Sequence, residues 1–258
     1  MSEHKIQVWA HRGASAYAPE NTMEAYILAH QYHADGIELD VQLSRDGEVV
    51  VIHDEKINRT SDGKGYVRNY TLKQLREYNY NKTRPQHFHA DIPTLREVLE
   101  YLSDKPQMTL NIELKTGVFS YEGIERKTID LVHETGMSDR VIYSSFNHYS
   151  IRNVQQIDPE AKVGLLYEDG FIDVPKYASQ LGVDALHPKH INLRYPGFLE
   201  DCRRYGLDIN VWTINDEQMM RNMCMAGVHA IITNDPALAI RVRDEFERSG
   251  SFDYGVRV

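Results

Sequence analysis

The sequence predicts a (β/α)₈ barrel (TIM barrel) with a small insertion after the second strand, and three observations support this prediction. Short apolar runs rich in β-branched residues alternate with amphipathic segments, as in a parallel sheet covered by helices. Apart from one return strand, eight such units follow one another, which is the number that closes a barrel. The length of 258 residues suits one barrel domain. We therefore assign residues 1–248 to a single domain and residues 249–258 to a frayed C-terminal tail.

Each predicted strand is a short apolar run, and each predicted helix carries apolar residues at helical spacing. The barrel strands are predicted at residues 6–10, 36–43, 109–114, 140–144, 162–167, 184–187, 208–213 and 230–233. The helices that follow them are predicted at residues 22–33, 95–102, 122–135, 149–156, 174–181, 197–205, 217–226 and 236–248. A doubly wound open sheet is the alternative, but no Gly-x-Gly-x-x-Gly segment follows the first strand to support it.

The second unit departs from this simple alternation. Asp46-Gly47 lies between two β-prone runs, which predicts a hairpin turn and a return strand at residues 48–52. Residues from about 54 to 91 are polar and break the rhythm, so we interpret them as an insertion with a short helix near residues 72–78. The rhythm resumes at Thr94, which is suited to cap the next helix because a glutamate lies three residues further on.

Composition and charge argue against several classes of protein. An apolar content of 41% and a charged content of 26% are ordinary for a soluble globular chain. The net charge of −9, without any dense run of Lys or Arg, makes nucleic acid and anionic membranes poor partners. No segment approaches the roughly 20 apolar residues of a membrane span, and the N-terminus lacks a secretory apolar core. With only Cys202 and Cys224, both in predicted helices, we expect a cytoplasmic protein with reduced thiols.

Acidic residues gather at the C-terminal ends of the predicted strands, where barrel enzymes carry their chemistry. Glu38 and Asp40 are two residues apart in a strand, so both carboxylates face the same side. Two carboxylates at a barrel mouth are costly without a cation, and Mg²⁺ or Ca²⁺ prefers such oxygen ligands. Glu113 has the same arrangement and is the natural third ligand, with Lys115 free to contact a substrate oxygen. We therefore predict one divalent cation, Ca²⁺ or Mg²⁺, although Glu113 and Lys115 could instead form a buried ion pair.

Two histidines are predicted at the same mouth. His11 ends the first strand and His53 ends the return strand. A single histidine is most often a hydrogen-bonded structural residue, but two of them beside a carboxylate cluster indicate an acid–base couple. His87 and His89 have metal-like spacing, yet they lie in the polar insertion with no acidic cluster. We interpret them as solvated loop residues.

The motifs at these positions occur together in one known family. In chain order they are His11-Arg12-Gly13-Ala14, Pro19-Glu20-Asn21-Thr22, Gly36-Ile37-Glu38-Leu39-Asp40-Val41, Asp46-Gly47, His53-Asp54, Asn58-Arg59-Thr60-Ser61-Asp62-Gly63-Lys64-Gly65, Ile92-Pro93-Thr94-Leu95, Asn111-Ile112-Glu113-Leu114-Lys115, Ser144-Ser145-Phe146, Val211-Trp212-Thr213-Ile214-Asn215 and Thr233-Asn234-Asp235-Pro236. Over nearly the whole chain, the sequence resembles the glycerophosphodiester phosphodiesterases.

The resemblance implies a fold, an activity and a set of site residues that agree with the strand-end pattern. The fold it implies is a (β/α)₈ barrel with a small insertion after the second strand. The roles it implies are acid–base catalysis by His11 and His53, metal binding by Glu38, Asp40 and Glu113, phosphate contact by Arg12 and Lys115, and a pocket wall formed by Phe146 and Trp212. The expected reaction is metal-dependent hydrolysis of a small-molecule glycerophosphodiester, such as glycerophosphocholine, to glycerol 3-phosphate and an alcohol.

Three other functions are compatible with parts of the sequence. Lysophospholipase D activity would need an apolar ramp at the mouth, to which Phe171-Ile172 could contribute. A non-catalytic phosphodiester-binding protein is disfavoured because all the motif residues are retained. An isomerase acting on a phosphorylated metabolite would release no alcohol. The sequence does not determine the headgroup of the substrate, the identity of the ion, which histidine is the base, or the oligomeric state. It also does not decide whether water attacks phosphorus directly or a glycerol hydroxyl first forms a cyclic phosphate.

Overall fold

The computed structural model describes residues 5–87 and 89–250. In this part of the chain nine strands form one sheet, and eight of them run parallel and close into a barrel because β1 pairs with β2. The barrel strands are β1 (Gln7–His11), β2 (Gly36–Leu43), β4 (Thr109–Leu114), β5 (Val141–Ser145), β6 (Lys162–Tyr167), β7 (Ala185–Pro188), β8 (Asp208–Val211) and β9 (Ala230–Thr233). The return strand β3 (Val49–Val51) pairs antiparallel with β2. The predicted fold class is confirmed.

Helices follow the barrel strands and cover the outside of the barrel. They are α1 (Met23–Gln31), α2 (Leu72–Leu75), α3 (Leu95–Ser103), α4 (Ile124–Glu134), α5 (His148–Ile157), α6 (Val174–Leu181), α7 (Phe198–Tyr205), α8 (Glu217–Ala226) and α9 (Pro236–Ser249). Short 3₁₀ turns occur at Val67–Asn69, Ser138–Arg140 and His190–Arg194. Among the described residues no helix combines the length and apolar character that crossing a bilayer requires.

The barrel strands are buried on both faces, which explains their continuous apolar runs. All eight residues of β2 are buried, including its two acidic ones. The main apolar core lies between the strands and the helices, and a smaller cluster around Trp9 fills the barrel interior. Cys202 and Cys224 are buried and free in α7 and α8. The predicted cap of α3 is present, because Thr94 and Glu97 bond each other's backbone N–H groups.

Two predicted elements are shorter in the structure. The helix predicted at residues 72–78 ends at Leu75, after which the chain turns and the Tyr78 ring packs edge-on against Tyr70. The strand predicted at residues 208–213 ends at Val211; Trp212 forms only a single bridge with Lys189, and its indole donates a hydrogen bond to the carbonyl of His187. Helix α9 runs through Ser249, and residues 251–258 of the predicted tail lie outside the described residues.

The insertion packs around a small apolar core of its own. Its buried members, together with neighbours from β3 and the segment before α3, are Val50, Ile52, Ile57, Val67, Leu75, Tyr80, Ala90 and Ile92. This cluster includes residues on both sides of His53, which lies two positions after the end of β3. The insertion therefore holds one of the two predicted catalytic histidines at the barrel mouth.

A glycine lets the loop after β1 pack closely against α1. Gly13 has φ of +78°, in the left-handed region, and a Cβ added there would lie 2.6 Å from the Cβ of Ala25. Because Gly13 follows His11 and Arg12, this close approach also sets the position of both side chains.

We expect Gly13→Ala to destabilise the fold and to reduce activity. The left-handed backbone costs about 1–2 kcal/mol for a residue with a Cβ, and overpacking adds about 1–3 kcal/mol. Urea unfolding measures the change. Gly117→Ala is the matched control, since its added Cβ meets nothing within 4 Å. Equal stabilities for the two variants would contradict this description of the loop.

Candidate active site

A cavity of about 230 Å³ opens at the C-terminal ends of the barrel strands. Most of the predicted site residues line it, namely His11, Arg12, Glu38, His53, Glu113, Phe146 and Trp212. Asp40 is fully buried beside them, and Lys115 reaches the carboxylates from the end of β4. The structure thus brings together residues that are up to 201 positions apart in sequence, from His11 to Trp212.

Three buried carboxylates form the floor of the site. Ligand oxygens of Glu38, Asp40 and Glu113 all lie within 4.8 Å of one another, because β2 and β4 pair in a register that sets Asp40 beside Glu113. Burial, and then the negative charges of Asp40 and Glu113, raise the pKa of Glu38 well above its ordinary value. Burial also raises the pKa of Glu113. The three negative charges are therefore costly to hold together without a cation.

Two basic side chains partly compensate this charge. Lys115 Nζ lies 2.7 Å from Glu113 Oε1 and 3.8 Å from Asp40 Oδ1, and Arg12 Nε lies 3.4 Å from Asp40 Oδ2. Burial alone would raise the pKa of Asp40, but the positive charges of His53, Arg12 and Lys115 hold it below its ordinary value. The sequence offered a metal site and a Glu113–Lys115 ion pair as alternatives, and the geometry accommodates both in one site.

The carboxylate cluster fits a hard divalent cation. The donor atoms are all carboxylate oxygens, which Mg²⁺ and Ca²⁺ prefer. Asp40 Oδ1 is buried and accepts no hydrogen bond from the described residues, so one possible ligand oxygen lacks a hydrogen-bond partner. Asn21 Nδ2 donates to the other oxygen, Asp40 Oδ2, at 2.8 Å, which fixes the orientation of the carboxylate.

The loop after β1 adopts unusual backbone conformations to reach this cluster. Arg12 and Asn21 have φ of +56° and +55°, which residues other than glycine rarely adopt. The backbone N–H of Arg12 donates to the Glu38 carboxylate at 2.9 Å. Tyr26 in α1 donates its hydroxyl to Asn21 Oδ1 at 2.9 Å. The strained positions coincide with the residues that contact the carboxylates, as is common at functional sites.

His11 is held by an amide. Its Nδ1 lies 2.6 Å from Asn234 Oδ1, at the end of the neighbouring strand β9, and its Nε2 lies 3.9 Å from Glu38 Oε2. Burial, together with the positive charge of Arg12, lowers the pKa of His11 to about 4. The ring is therefore neutral at pH 7. Since an amide oxygen can only accept, Nδ1 carries the proton and Nε2 is left with its lone pair.

His53 is held by a carboxylate. Its Nδ1 lies 2.7 Å from Asp54 Oδ1, so Nδ1 donates and Nε2 is the ring nitrogen left free. Burial would raise the pKa of Asp54, but the hydrogen bonds from His53 and Arg59 keep it low. Asp54 is therefore ionised at neutral pH. The two histidines thus differ in the hydrogen-bond acceptor at Nδ1, which is a neutral amide for His11 and an anionic carboxylate for His53.

Aromatic side chains form the outer wall of the cavity. The rings of Phe146 and Trp212 meet edge to face with centroids 5.5 Å apart, and Lys115 Nζ lies 5.9 Å from the Phe146 ring centre. Glu168, which the sequence did not single out, also lines the cavity and pairs with Lys189. The wall therefore combines apolar surface with one acidic side chain.

Several functional neighbours were missed by residue-level reasoning. Asn234, Asp54 and Asn21 stand within motifs that the sequence displays, but they were given no role. His87 and His89 were interpreted as solvated loop residues. His89 is exposed and pairs with Asp91, whereas the half-buried His87 has its Nε2 3.0 Å from the carbonyl of Tyr17.

Fold and site together define a barrel enzyme with a buried acidic cluster flanked by two histidines. Residues 11–238 match the model of the glycerophosphoryl diester phosphodiesterase family. A glycerophosphodiester phosphodiesterase of Caldanaerobacter subterraneus subsp. tengcongensis is 42% identical over 92% of this chain and 98% of its own length. The chain therefore belongs to the glycerophosphoryl diester phosphodiesterase family, which confirms the resemblance seen in the sequence, and it is a phosphodiesterase.

Solved structures agree with this assignment. The glycerophosphodiester phosphodiesterase of Agrobacterium tumefaciens is 30% identical, with a TM-score of 0.79, over 92% of this chain and 99% of that one. A phosphodiesterase of Oleispira antarctica, solved in complex with its product sn-glycerol-3-phosphate, is 29% identical with a TM-score of 0.81. That alignment covers 92% of this chain and 96% of the Oleispira chain.

Replacing one carboxylate of the cluster should stabilise the protein in the presence of EDTA. The folded-state pKa of Glu38 is raised, so ionisation of Glu38 opposes folding once the pH exceeds its unfolded value of about 4.3. Glu38→Gln removes this cost, and its advantage in unfolding free energy should appear as the pH rises above that unfolded value. Urea unfolding at several pH values measures the difference. Glu160→Gln, at an exposed position, is the control. A Glu38→Gln protein that is less stable than the wild type at pH 8 would show that the three buried carboxylates do not destabilise the fold.

Proposed function

We propose that the chain hydrolyses glycerophosphodiesters to glycerol 3-phosphate and a free alcohol, with one Mg²⁺ or Ca²⁺ ion held by Glu38, Asp40 and Glu113. The observation that carries the proposal is the convergence of these carboxylates and two differently held histidines on one cavity. The product bound to the Oleispira relative supports the choice of substrate. We further propose that residues 1–248 act as a single domain in the cytoplasm.

In the proposed complex the phosphate binds on the cavity side of the carboxylate cluster, within reach of the basic side chains that contact the cluster. A divalent cation bound there supplies electrophilic stabilisation of the phosphate charge. Arg12 and Lys115 are already fixed beside the cluster by Glu20 and Glu113, so they present positive charge without reorganising. The aromatic wall of Phe146 and Trp212 then contacts the carbon atoms of the glycerol or of the leaving alcohol.

The two histidines are proposed to have opposite roles. His11 is neutral with the lone pair on Nε2, so it is the proton acceptor that activates the attacking oxygen. His53 gives a proton to the leaving alcohol oxygen, and the Asp54 carboxylate compensates the positive charge of the ring in its donating form. The bond from phosphorus to the alcohol oxygen breaks as the new phosphorus–oxygen bond forms. The attacking oxygen is that of water or of a glycerol hydroxyl, and ³¹P NMR detects the cyclic phosphate that only the second route produces.

A direct assay tests the reaction and its metal. Incubation with glycerophosphocholine should release glycerol 3-phosphate and choline, EDTA should stop the release, and added Mg²⁺ or Ca²⁺ should restore it. No release with any divalent ion would refute the hydrolase assignment. Release that EDTA leaves unchanged would refute the metal part alone, and phosphate bound without turnover would favour a binding protein. Interconversion of a phosphorylated metabolite without release of an alcohol would favour an isomerase.

Lysophospholipase D activity is the second candidate because the mouth carries exposed apolar groups. Phe171 and Ile172 are 63% and 93% exposed in the segment between β6 and α6, beside a groove of about 280 Å³. An acyl chain extending from the cavity would contact the apolar side chains of Phe171 and Ile172. The same assay with lysophosphatidylcholine distinguishes the two activities. A faster reaction than with glycerophosphocholine would make the lipid the preferred substrate, and a slower one would favour the glycerophosphodiester.

Substitution of either histidine should reduce turnover with the fold intact. His11→Ala and His53→Ala each remove a proton-transfer group, which is worth about 10²–10⁴-fold in rate. Only the His53→Ala loss should shrink when choline is replaced by p-nitrophenol, a leaving group that departs without protonation. Circular dichroism verifies folding, and His89→Ala, which breaks a similar His–Asp pair, is the control. Near wild-type turnover of either variant would disprove the acid–base assignment, and equal losses with both leaving groups would disprove the division of roles.

A further inference from the structure

Two sequence motifs, Pro19-Glu20-Asn21 and Asn58-Arg59-Thr60, supply the charged residues Glu20 and Arg59, which transfer no proton in the proposed reaction. Their side chains meet beside His53. We propose that Arg59 is a positioning residue for the reaction, because it clamps Asp54 in the orientation that holds the His53 ring. This inference rests on the proposed catalytic role of His53.

Asp54 needs a second contact to orient His53. The side chains of His53 and Asp54 are 31% and 29% exposed, so neighbouring atoms do not enclose either of them. A single hydrogen bond of 2.7 Å joins Nδ1 to the carboxylate. A carboxylate that rotates freely would let the imidazole rotate with it, and Nε2 would then lose its direction towards the cavity.

Arg59 supplies that second contact with a two-pronged geometry. Its Nε donates to Asp54 Oδ2 at 2.7 Å and its Nη2 donates to Asp54 Oδ1 at 2.9 Å. Two parallel hydrogen bonds from a planar guanidinium fix the plane of a carboxylate, which one contact cannot do. Asp54 Oδ1 is then directed at the histidine by the same pair of bonds.

The other edge of the guanidinium is anchored to the barrel. Arg59 Nη1 and Nη2 donate to the two oxygens of Glu20 at 2.5 and 2.8 Å. Glu20 is only 12% exposed and also accepts from Arg12 Nη1 at 2.8 Å. Arg59, which belongs to the insertion, is thereby tied to the loop after β1, which carries Arg12 and begins directly after His11.

The linked side chains alternate in charge, from Arg12 through Glu20 and Arg59 to Asp54. Although burial would raise the pKa of Glu20, the hydrogen bonds and positive charges of Arg59 and Arg12 lower it. Both carboxylates that contact Arg59 are therefore ionised at neutral pH. A lysine at position 59 would keep the positive charge, but its single ammonium group cannot make these four directed contacts.

The effect on activity should far exceed the effect on stability. Arg59 is 43% exposed, and exposed ion pairs contribute little to stability. A small misplacement of a catalytic group, in contrast, costs on the order of 10²-fold in rate. If Arg59 only joined the insertion to the barrel, its substitution would lower the stability more than the activity.

The experiment compares Arg59→Gln and Arg59→Lys with a matched control. Arg76→Gln is that control, since Arg76 also joins the insertion to the barrel, through both carboxylate oxygens of Glu97 in α3. With glycerophosphocholine, Arg59→Gln should lower kcat about 10–100-fold while KM changes less than about threefold. Arg59→Lys should recover only part of the loss. Arg76→Gln should keep wild-type kcat, and all three proteins should melt within a few degrees of one another.

Double-mutant cycles show whether Arg59 acts through the histidine. In the His53→Ala and Asp54→Asn backgrounds, Arg59→Gln should change kcat less than about twofold. A loss of the same size in those backgrounds, a loss confined to KM, or wild-type kcat in Arg59→Gln would each overturn the proposal. His53→Ala with wild-type turnover would instead refute the catalytic role of His53, and the positioning role with it. The two failures are thus distinguishable.

Discussion

The burial of three carboxylates at one end of the barrel is the constraint on which the rest of the site depends. Strand alternation directs Glu38 and Asp40 to the same face of β2, and the register of β2 with β4 places Glu113 beside them. Burial and mutual repulsion raise the pKa of two of these groups. The arrangement is sustained only where positive charge is brought to it, which Lys115, Arg12 and a divalent cation can each provide.

The neighbouring loops are organised around that requirement. The loop after β1 adopts left-handed backbone at Arg12 and Asn21 so that a guanidinium, a backbone N–H and a side-chain amide all point at the carboxylates. The insertion has its own apolar core and holds His53 at the same cavity. The proposed acid and base are therefore carried by different parts of the chain, and ion pairs across the mouth connect those parts.

The sequence predicted the elements that local periodicity determines, and it missed contacts between distant segments. The eight units, the hairpin at Asp46-Gly47 and the cap at Thr94 follow from patterns within a few residues of each other. The predicted extent of the insertion helix was wrong, because the helix ends at Leu75 and the backbone of Asn79 beyond it bonds to Asp62, a residue earlier in the insertion. The partner of His11 is Asn234, 223 residues away, and only closure of the barrel between β1 and β9 brings the two together.

The roles of side chains likewise divide into those that local spacing predicts and those that it does not. The spacing of Glu38 and Asp40 was sufficient to predict a shared face, and strand-end geometry extended that to Glu113. The predicted contributions of Phe146 and Trp212 came from family resemblance, because nothing in their local spacing indicates a pocket wall. Glu168 stands in no recognisable motif, and only its position at the end of β6 reveals it.

Calorimetric titration of the metal-free protein with Mg²⁺ or Ca²⁺ tests the central claim most directly. We expect one ion per chain, strong weakening of binding in Glu38→Gln, Asp40→Asn and Glu113→Gln, and a heat that depends on the ionisation enthalpy of the buffer. The last effect follows because the pKa of Glu38 is raised, so the incoming ion displaces a proton. Absence of binding, or binding that these substitutions leave unchanged, would contradict the assignment of the carboxylate cluster as a metal site.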